Sequence, residues 1–292
     1  MDYMDVSEFP NFMPLSLGHK ELVNRFNGKH DSNHSATNFT NLFILDNDND
    51  TEISSYKDAL VFKQTELGTE RTNYLLIAPT NDEAALVKDL IGKHISPIVL
   101  YPHPILNYEP DEDNSDYIYS IANTIKLEGS QYANIRRKIG QFKKEHNAKL
   151  TKVADAERNE IWDFAHELFV KNAAAVDELT RQSLIIELDA LEKTIMFADK
   201  LDVDFLQLTE GDRILGFVVT EVIAKETVLI HFFRTNNEVK GVSEYLFVEM
   251  ARFHKAQKLI DFEQDLGIVG LRRFKSSLQP YSKLSVYSIN DY

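Results

Sequence analysis

The sequence predicts an α+β protein in which mixed sheets are flanked by helices, arranged as two tandem domains of residues 1–150 and 151–292. The chain has 292 residues, which suits two domains of ordinary size. Its second half alternates apolar runs with polar turns in the order helix–helix–β–β–β–α–β–α–β. Its first half shows a looser version of strands, helix, two strands and helix, without a close repeat.

The second half is the clearer of the two. Alternating apolar residues and short turns such as 210–212 predict an antiparallel meander, and a 3.6-residue spacing of apolar positions predicts helices. The predicted helices are 156–172, 184–198, 244–255 and 267–277, and the predicted strands are 204–209, 214–223, 227–234, 259–262 and 284–289.

The first half contains more polar turns. A helix is predicted over 17–26, another opens at the polar stretch 80–83, and a basic helix ends near His146. The predicted strands are 38–45, 59–63, 74–78, 96–101, 117–127 and 150–153. The acidic residues between 111 and 116 are predicted to form a loop.

Composition excludes several classes of site. The chain contains no cysteine, which excludes disulfides, thiolate chemistry and cysteine-ligated metals. Residues 1–14 carry three acidic and no basic residues, unlike a secretory signal, and no apolar run approaches the ~18 residues that span a bilayer. We therefore expect a cytoplasmic protein without a transmembrane segment, with peripheral contact to a membrane surface as the alternative.

The charge of the chain is unevenly distributed. The net charge is −14, which opposes broad contact with nucleic acid. The stretch 128–150, however, contains six basic and only two acidic residues. The basic helix, 136–149, is therefore a candidate surface for tRNA or anionic lipid, although a charge run usually marks a solvated face.

The run 262–280, FEQDLGIVGLRRFKSSLQP, carries an unusual motif, E-x-D-L-G-I-x-G-L-R-x-x-K-x-S-x-x-P. It resembles the phosphatidylglycerol lysyltransferase C-terminal-domain-like family. Three further stretches resemble that family in order, so that the similarity covers nearly the whole chain. They are Ser35-Ala36-Thr37-Asn38-Phe39 with Asn41-Leu42-Phe43, Asp116-Tyr117-Ile118-Tyr119 with Leu127 and Gly129, and His231-Phe232 with Lys240-Gly241.

The resemblance implies two tandem GNAT-like acyltransferase domains, which agrees with the strand and helix order of the second half. It implies transfer of an aminoacyl or acyl group from an activated donor, aminoacyl-tRNA or acyl-CoA, to an amine or hydroxyl acceptor such as a lipid, a peptide or another small molecule. No tightly bound cofactor is expected.

Two other functions stay open. One alternative is a ligand-binding protein that keeps the fold without catalysis. It is suggested by five positions where this chain departs from the polar residues usual in the family: Phe233, Arg234, Asp261, Arg137 and Gly140. The fold alone motivates an acetyl-CoA-dependent N-acetyltransferase. Against CoA, the stretch 236–243 has one glycine and an acidic residue, whereas a pyrophosphate loop is basic and glycine-rich.

Three residues are candidates for catalysis, because acyl transfer needs a polarised carbonyl and a nucleophile that loses its proton. Lys275 could hold a phosphate or an oxyanion, Glu263 could orient an amine or act as a base, and His231 lies on the strand where the donor is expected. The alternatives are a solvated lysine, a helix cap and a buried histidine. Strand alternation places His231 on the face of Phe233.

Five residues are candidates for substrate binding: Arg272, Arg273, Arg234, Ser276 and Arg136. Neighbouring helix positions diverge by about 100°, so at most one of Arg272 and Arg273 is expected to face a cleft. Asp265 is predicted to cap the following helix.

No metal site is predicted. His30 and His34 lie in a polar loop, and Asp46–Asp50 lacks the glycine and glutamate of a calcium loop, since Thr51 and Lys57 stand there.

Overall fold

The computed structural model describes residues 6–29, 34–46, 50–65, 72–78, 83–93, 95, 97–100, 108–173, 178–223 and 226–289. Contacts between residues divide the chain into two compact units, each with its own apolar core. The first unit comprises Met1–Asp116 with Leu284–Tyr292, and the second comprises Tyr117–Lys283.

The first unit holds a small mixed sheet. Its strands are β1 (Met13–Pro14), β2 (Thr51–Tyr56), β3 (Ala59–Thr65), β4 (Thr72–Ile77) and β5 (Pro97–Ile98), and its helices are α1 (Lys20–Lys29), α2 (Phe39–Ile44) and α3 (Glu83–Ile91). The strands follow one another in chain order, antiparallel from β1 to β4 and parallel from β4 to β5. Helix α3 buries Val87 and Leu90 in the same core as Val61 and Leu76 of the sheet.

Strand β6 (Tyr108–Ser120) leads from the first unit into the second. The helices that follow are α4 (Ile121–Lys126), α5 (Ala133–Glu145), α6 (Arg158–Ala173), α7 (Glu178–Met196), α8 (Val242–Phe253) and α9 (Val269–Ser277). The strands are β7 (Lys149–Lys152), β8 (Val203–Glu210), β9 (Arg213–Ile223), β10 (Thr227–Thr235), β11 (Leu259–Asp261) and β12 (Ser282–Ile289).

The larger sheet has the order β12–β6–β11–β10–β9–β8–β7, and its strands β7 to β11 lie wholly in the second unit. Strands β7 to β10 form the predicted antiparallel meander, β11 runs parallel to β10, and β6 runs antiparallel to β11. Helices α4, α5 and α8 pack on one face, where Ile139 and Phe247 meet Ile230 in the apolar core. Helices α6 and α7 contribute contacts to the other face, including an edge-to-face pair of Phe164 and Phe217 at 6.2 Å.

The predicted fold class is confirmed, since both units combine a mixed sheet with flanking helices. The predicted order helix–helix–β–β–β–α–β–α–β is that of α6 to β12. Within the described ranges, every helix is too short or too polar to cross a lipid bilayer.

Three local predictions are wrong. The stretch 38–45 forms helix α2, because the side chain of Asn38 accepts a hydrogen bond from the Asn41 amide at 3.0 Å and caps it. The predicted strand 117–127 ends at Ser120, which caps α4. The acidic residues 111–116 lie in strand β6, and strand β2 was not predicted. A short apolar run does not distinguish a helix from a strand by its period.

The contacts place residues 117–150 in the second unit, because β6 pairs with β11 and helix α5 packs on α8. The predicted domains, 1–150 and 151–292, stay a prediction.

Candidate active site

Strand β10 contains a β-bulge at His231. Ile230 and Phe232 pair with consecutive residues of β9, so His231 is the extra residue between them. A bulge shifts the alternation of side chains along a strand. His231 consequently bonds to Glu221 of β9, whereas the partly buried ring of Phe233 packs against the apolar core on the face of Ile230. The predicted shared face of His231 and Phe233 is therefore wrong.

His231 lies between two carboxylates. Its Nε2 atom is 3.0 Å from Oε2 of Glu221, and its Nδ1 atom is 4.0 Å from Oε1 of Glu263. The histidine side chain is fully buried and that of Glu221 is buried, while that of Glu263 is 22% exposed. His231 is therefore hydrogen-bonded to the inner carboxylate, and its other ring nitrogen lies within ion-pair distance of the outer one.

The backbone of Glu263 is held in an unusual conformation. Its φ is +53°, a left-handed value that costs a residue other than glycine about 1–3 kcal/mol. The amide of Glu263 donates to Oδ1 of Asp261 at 2.8 Å, and its carbonyl accepts from the Tyr117 amide at 3.1 Å. These two hydrogen bonds hold the backbone of Glu263 in place and so fix the position of its Cα atom.

Lys275 of helix α9 contacts the backbone on both sides of Glu263. Its buried ammonium group donates to the carbonyls of Phe262 and of Gln264, the latter at 2.7 Å, and so bridges the residues on either side of Glu263. The Lys275 carbonyl accepts from the hydroxyl of Tyr119 at 2.7 Å, and burial raises the pKa of Tyr119 far above its ordinary value. Lys275 is thereby placed to position Glu263, and its catalytic role stays a prediction.

Asp265 joins the loop to helix α9. It is fully buried and accepts hydrogen bonds from the Tyr117 hydroxyl at 2.6 Å, the Gly267 amide at 2.9 Å and two guanidinium nitrogens of Arg272 at 2.9 and 2.7 Å. Burial raises the pKa of Asp265, but the bonds from Arg272, Tyr117 and Gly267 outweigh it and lower this pKa to about 2. Asp265 thus accepts a backbone amide in the turn before α9, whose N-cap residue is Ile268.

The other predicted binding residues are dispersed. Arg234 pairs with Glu187 of α7, and Arg273 and Ser276 are exposed on α9. Arg136 donates from Nη1 to the carbonyls of Leu127 and of Gly129, the latter at 2.7 Å. Of the predicted residues, His231 and Glu263 lie 4.0 Å apart, and Lys275 donates to the backbone carbonyls on either side of Glu263.

The start of α8 is unsuited to a phosphate group. Gly241 precedes the helix with a φ of +80°, and a Cβ atom there would lie 2.6 Å from the carbonyl oxygen of Lys138. Glu244, in the first turn, is buried and pairs with the Lys138 ammonium at 2.5 Å. A carboxylate at this end already uses the favourable helix dipole and repels a second anion.

Glu221 belongs to the candidate site but is not among the residues that the sequence predicts. An acidic residue in the apolar run FVVTEVI, ten positions before His231, is the available signal, since strands of a meander bring such positions together. Among the described residues, no three or more histidine, aspartate or glutamate side chains are grouped as metal ligands. His30 lies outside the described residues.

The fold defines the class of protein. The meander, the bulged third strand and the following helix and parallel strand are the architecture of GNAT-like acyltransferases. The family model of the phosphatidylglycerol lysyltransferase C-terminal domain matches residues 29–290. The chain belongs to this family.

Solved structures share the fold. A conserved protein of unknown function from Bacteroides thetaiotaomicron VPI-5482 has a TM-score of 0.80 at 22% identity, covering 96% of this chain and 99% of that one. L-PGS from Bacillus licheniformis gives 0.61 at 14% identity, covering 98% and 94%. The C-terminal domain of a putative lysylphosphatidylglycerol synthetase from Agrobacterium fabrum gives 0.58 at 11% identity, covering 93% of each. A comparison with curated protein sequences gives no match.

Proposed function

We propose that this chain transfers an aminoacyl group from aminoacyl-tRNA to an amine or hydroxyl acceptor, such as a lipid or a peptide. The observation that carries the proposal is the row Glu263–His231–Glu221, in which a partly exposed carboxylate leads to a buried histidine and a buried carboxylate. Membership of the family supports this reaction class.

Glu263 is the proposed proton acceptor. The acceptor oxygen or nitrogen attacks the carbonyl carbon of the aminoacyl ester, and the bond from that carbon to the ribose oxygen breaks. The proton of the acceptor passes to Glu263, and the protonated Glu263 then gives that proton to the ribose oxygen as it leaves. The buried, hydrogen-bonded pair of His231 and Glu221 supports the step. A proton can shift between these two side chains and so adjust their charges when Glu263 becomes protonated.

The proposed surface for the tRNA is the exposed face of α5. Arg136, Arg137, Lys143 and Lys144 are exposed there and lie within an arc of about 120° at helical spacing. Gly140 lies at the centre of this arc, and a Cβ atom there would meet no atom within 4 Å. A glycine in a helix costs stability without packing any neighbour, and here it leaves room for a phosphate backbone to approach the helix.

Acyl-CoA is the less favoured donor. Its pyrophosphate would be expected at the start of α8 in this fold, where Glu244 is buried and Gly241 packs against α5. The acetyl-CoA-dependent alternative therefore conflicts with the charge at that position.

The test compares donors directly. Purified protein is incubated with charged tRNA or with a panel of acyl-CoAs, and with lipid and peptide acceptors, and transfer of the labelled group is measured. We expect transfer from charged tRNA alone. Transfer from acyl-CoA alone would support the N-acetyltransferase, and donor binding without transfer to any acceptor would support a ligand-binding protein.

Variants on α5 test the tRNA surface. Replacing both Arg137 and Lys144 with glutamine should weaken tRNA binding and flatten its salt dependence. The matched control replaces Lys152 and Lys255, which are exposed outside α5. Equal tRNA affinity of the two double variants would contradict this surface.

A further inference from the structure

Five consecutive residues, 266–270, are exposed, and all of them are apolar or glycine. Their sequence is Leu-Gly-Ile-Val-Gly. The exposed fraction is 56% for Leu266, 47% for Ile268 and 70% for Val269. Single exposed apolar residues are ordinary on a protein surface, but an uninterrupted run of this length is not expected without a function. We call residues 266–270 the apolar ridge.

The apolar ridge rests on a rigid base. Immediately before it, Asp265 is fully buried and bonded to Tyr117 and Arg272. Within the ridge, the Gly267 amide donates to Oδ1 of Asp265 at 2.9 Å, and the Ile268 amide donates to its carbonyl at 2.9 Å. The exposed aliphatic side chains are therefore held in place by the buried carboxylate beneath them.

The backbone of the apolar ridge is strained. Leu266 has a φ of +53° and Gly267 one of +71°. Glycine adopts this conformation freely, but leucine does not, because its Cβ atom crowds the backbone. Asparagine tolerates the conformation and is polar. Leucine at this position thus favours neither local stability nor solubility, which points to a requirement for its apolar side chain outside the protein.

Basic residues adjoin the apolar ridge. Arg273 is exposed on α9, and Arg272 keeps 43% of its side chain exposed while it binds Asp265. Exposed Lys283 lies over the ring of Tyr117 at 4.6 Å, the same side chain whose hydroxyl binds Asp265. Arg272, Arg273 and Lys283 thus keep exposed basic side chains in this segment, whereas Lys275 is buried, in a chain whose net charge is −14.

We propose that the apolar ridge inserts into the surface of an anionic lipid bilayer, with Arg273 and Lys283 at the level of the headgroups. Apolar side chains flanked by cations are the combination that binds such a surface. Only two residues separate Glu263 from the ridge, so this contact would bring the proposed proton acceptor to the bilayer. The binding itself does not depend on the transfer reaction, although its use for a lipid acceptor rests on the proposed function.

The test measures partition of the protein onto sedimented vesicles of phosphatidylcholine that contain or lack phosphatidylglycerol. We expect binding to the anionic vesicles, and a fall of about tenfold in the partition coefficient for Leu266→Asn combined with Val269→Ser. The matched control is Met196→Ser, since Met196 of α7 is exposed to the same 70% as Val269. Arg273→Gln should weaken binding to the anionic vesicles specifically.

Folding of the variants is checked by thermal unfolding, where Leu266→Asn is expected to keep or raise the Tm because asparagine suits the left-handed backbone. Absence of binding by the wild type, or equal binding by the ridge variant, would overturn the proposal. So would self-association of the wild type that the ridge variant abolishes, because a second copy would then be the partner. If the ridge variant loses vesicle binding but still transfers the aminoacyl group to soluble acceptors, the contact with the bilayer is independent of the transfer reaction.

Discussion

Replacing Asp265 with asparagine is expected to lower the free energy of unfolding by an amount that depends on pH. In the wild type the buried carboxylate accepts two bonds from Arg272, one from the Tyr117 hydroxyl and one from the Gly267 amide. Asparagine keeps the size of the side chain but loses its charge and exchanges one acceptor for a donor. The substitution therefore removes the charge-assisted part of the cluster while the packing stays.

The magnitude follows from the pKa of Asp265, which falls from 3.8 to about 2 in the folded protein. A shift of one unit corresponds to about 1.4 kcal/mol, so the ionised form contributes about 2 kcal/mol. Since the folded pKa is the lower one, this stability is present above pH 4. It is lost as the pH falls from about 4 towards 2, where the folded carboxylate also takes up a proton.

Urea unfolding followed by circular dichroism measures the effect. The free energies of the wild type and of Asp265→Asn are compared at pH 6 and at about pH 2.5. The difference between them should shrink by about 1.5 kcal/mol at the lower pH. A difference that stays constant would refute the assignment of this stability to the ionised cluster.

Three further substitutions have expected outcomes in the same assay. Gly140→Ala should raise the free energy of unfolding by about 0.5–1 kcal/mol, because its site is open and helical. Gly241→Ala should lower it by about 2 kcal/mol, because its φ is positive and its Cβ would meet the Lys138 carbonyl. Lys275→Met should lower it by about 3 kcal/mol, since two buried carbonyls lose their donor, and should slow transfer without weakening tRNA binding. The opposite sign for either glycine, or unchanged transfer by the lysine variant, would contradict these accounts.

Much of the second unit could be predicted from the sequence, because its signals are local. The turn at Gly211 and the alternating strands beside it specify the meander, and the spacing of Ile135, Ile139 and Phe142 specifies α5. The predictions of strands around Asn38 and Ser120 are wrong. Each stretch is a short apolar run, and the residue that caps it decides between helix and strand.

The site was predicted only in part, because its geometry depends on contacts between distant residues. His231 and Glu263 are candidates because of their places in the predicted third strand and in the turn before the last helix. Their relation to Glu221 requires the bulge in β10, which alternation along the strand does not reveal. The place of Lys275 is likewise set by backbone carbonyls, and backbone groups carry no sequence signal.

Contacts between distant residues also decide which segments belong to the second unit. The sequence places residues 117–150 in the predicted N-terminal domain, 1–150, and that division stays a prediction. In the structure, Ile118 and Tyr119 pair with β11, about 140 residues later. Pairing over such a separation follows from the assembled sheet and not from a local pattern.

The central claim is that Glu263 accepts the proton of the acceptor during aminoacyl transfer. It is tested most directly by single-turnover transfer from charged tRNA by the wild type, Glu263→Gln and Glu210→Gln. Glu210 is the matched control, since it bonds to His146 at 3.0 Å and is also partly exposed. We predict a rate for Glu263→Gln that is at least about 100-fold lower, with unchanged tRNA affinity and a control close to the wild type. Equal rates for the two variants would contradict the claim.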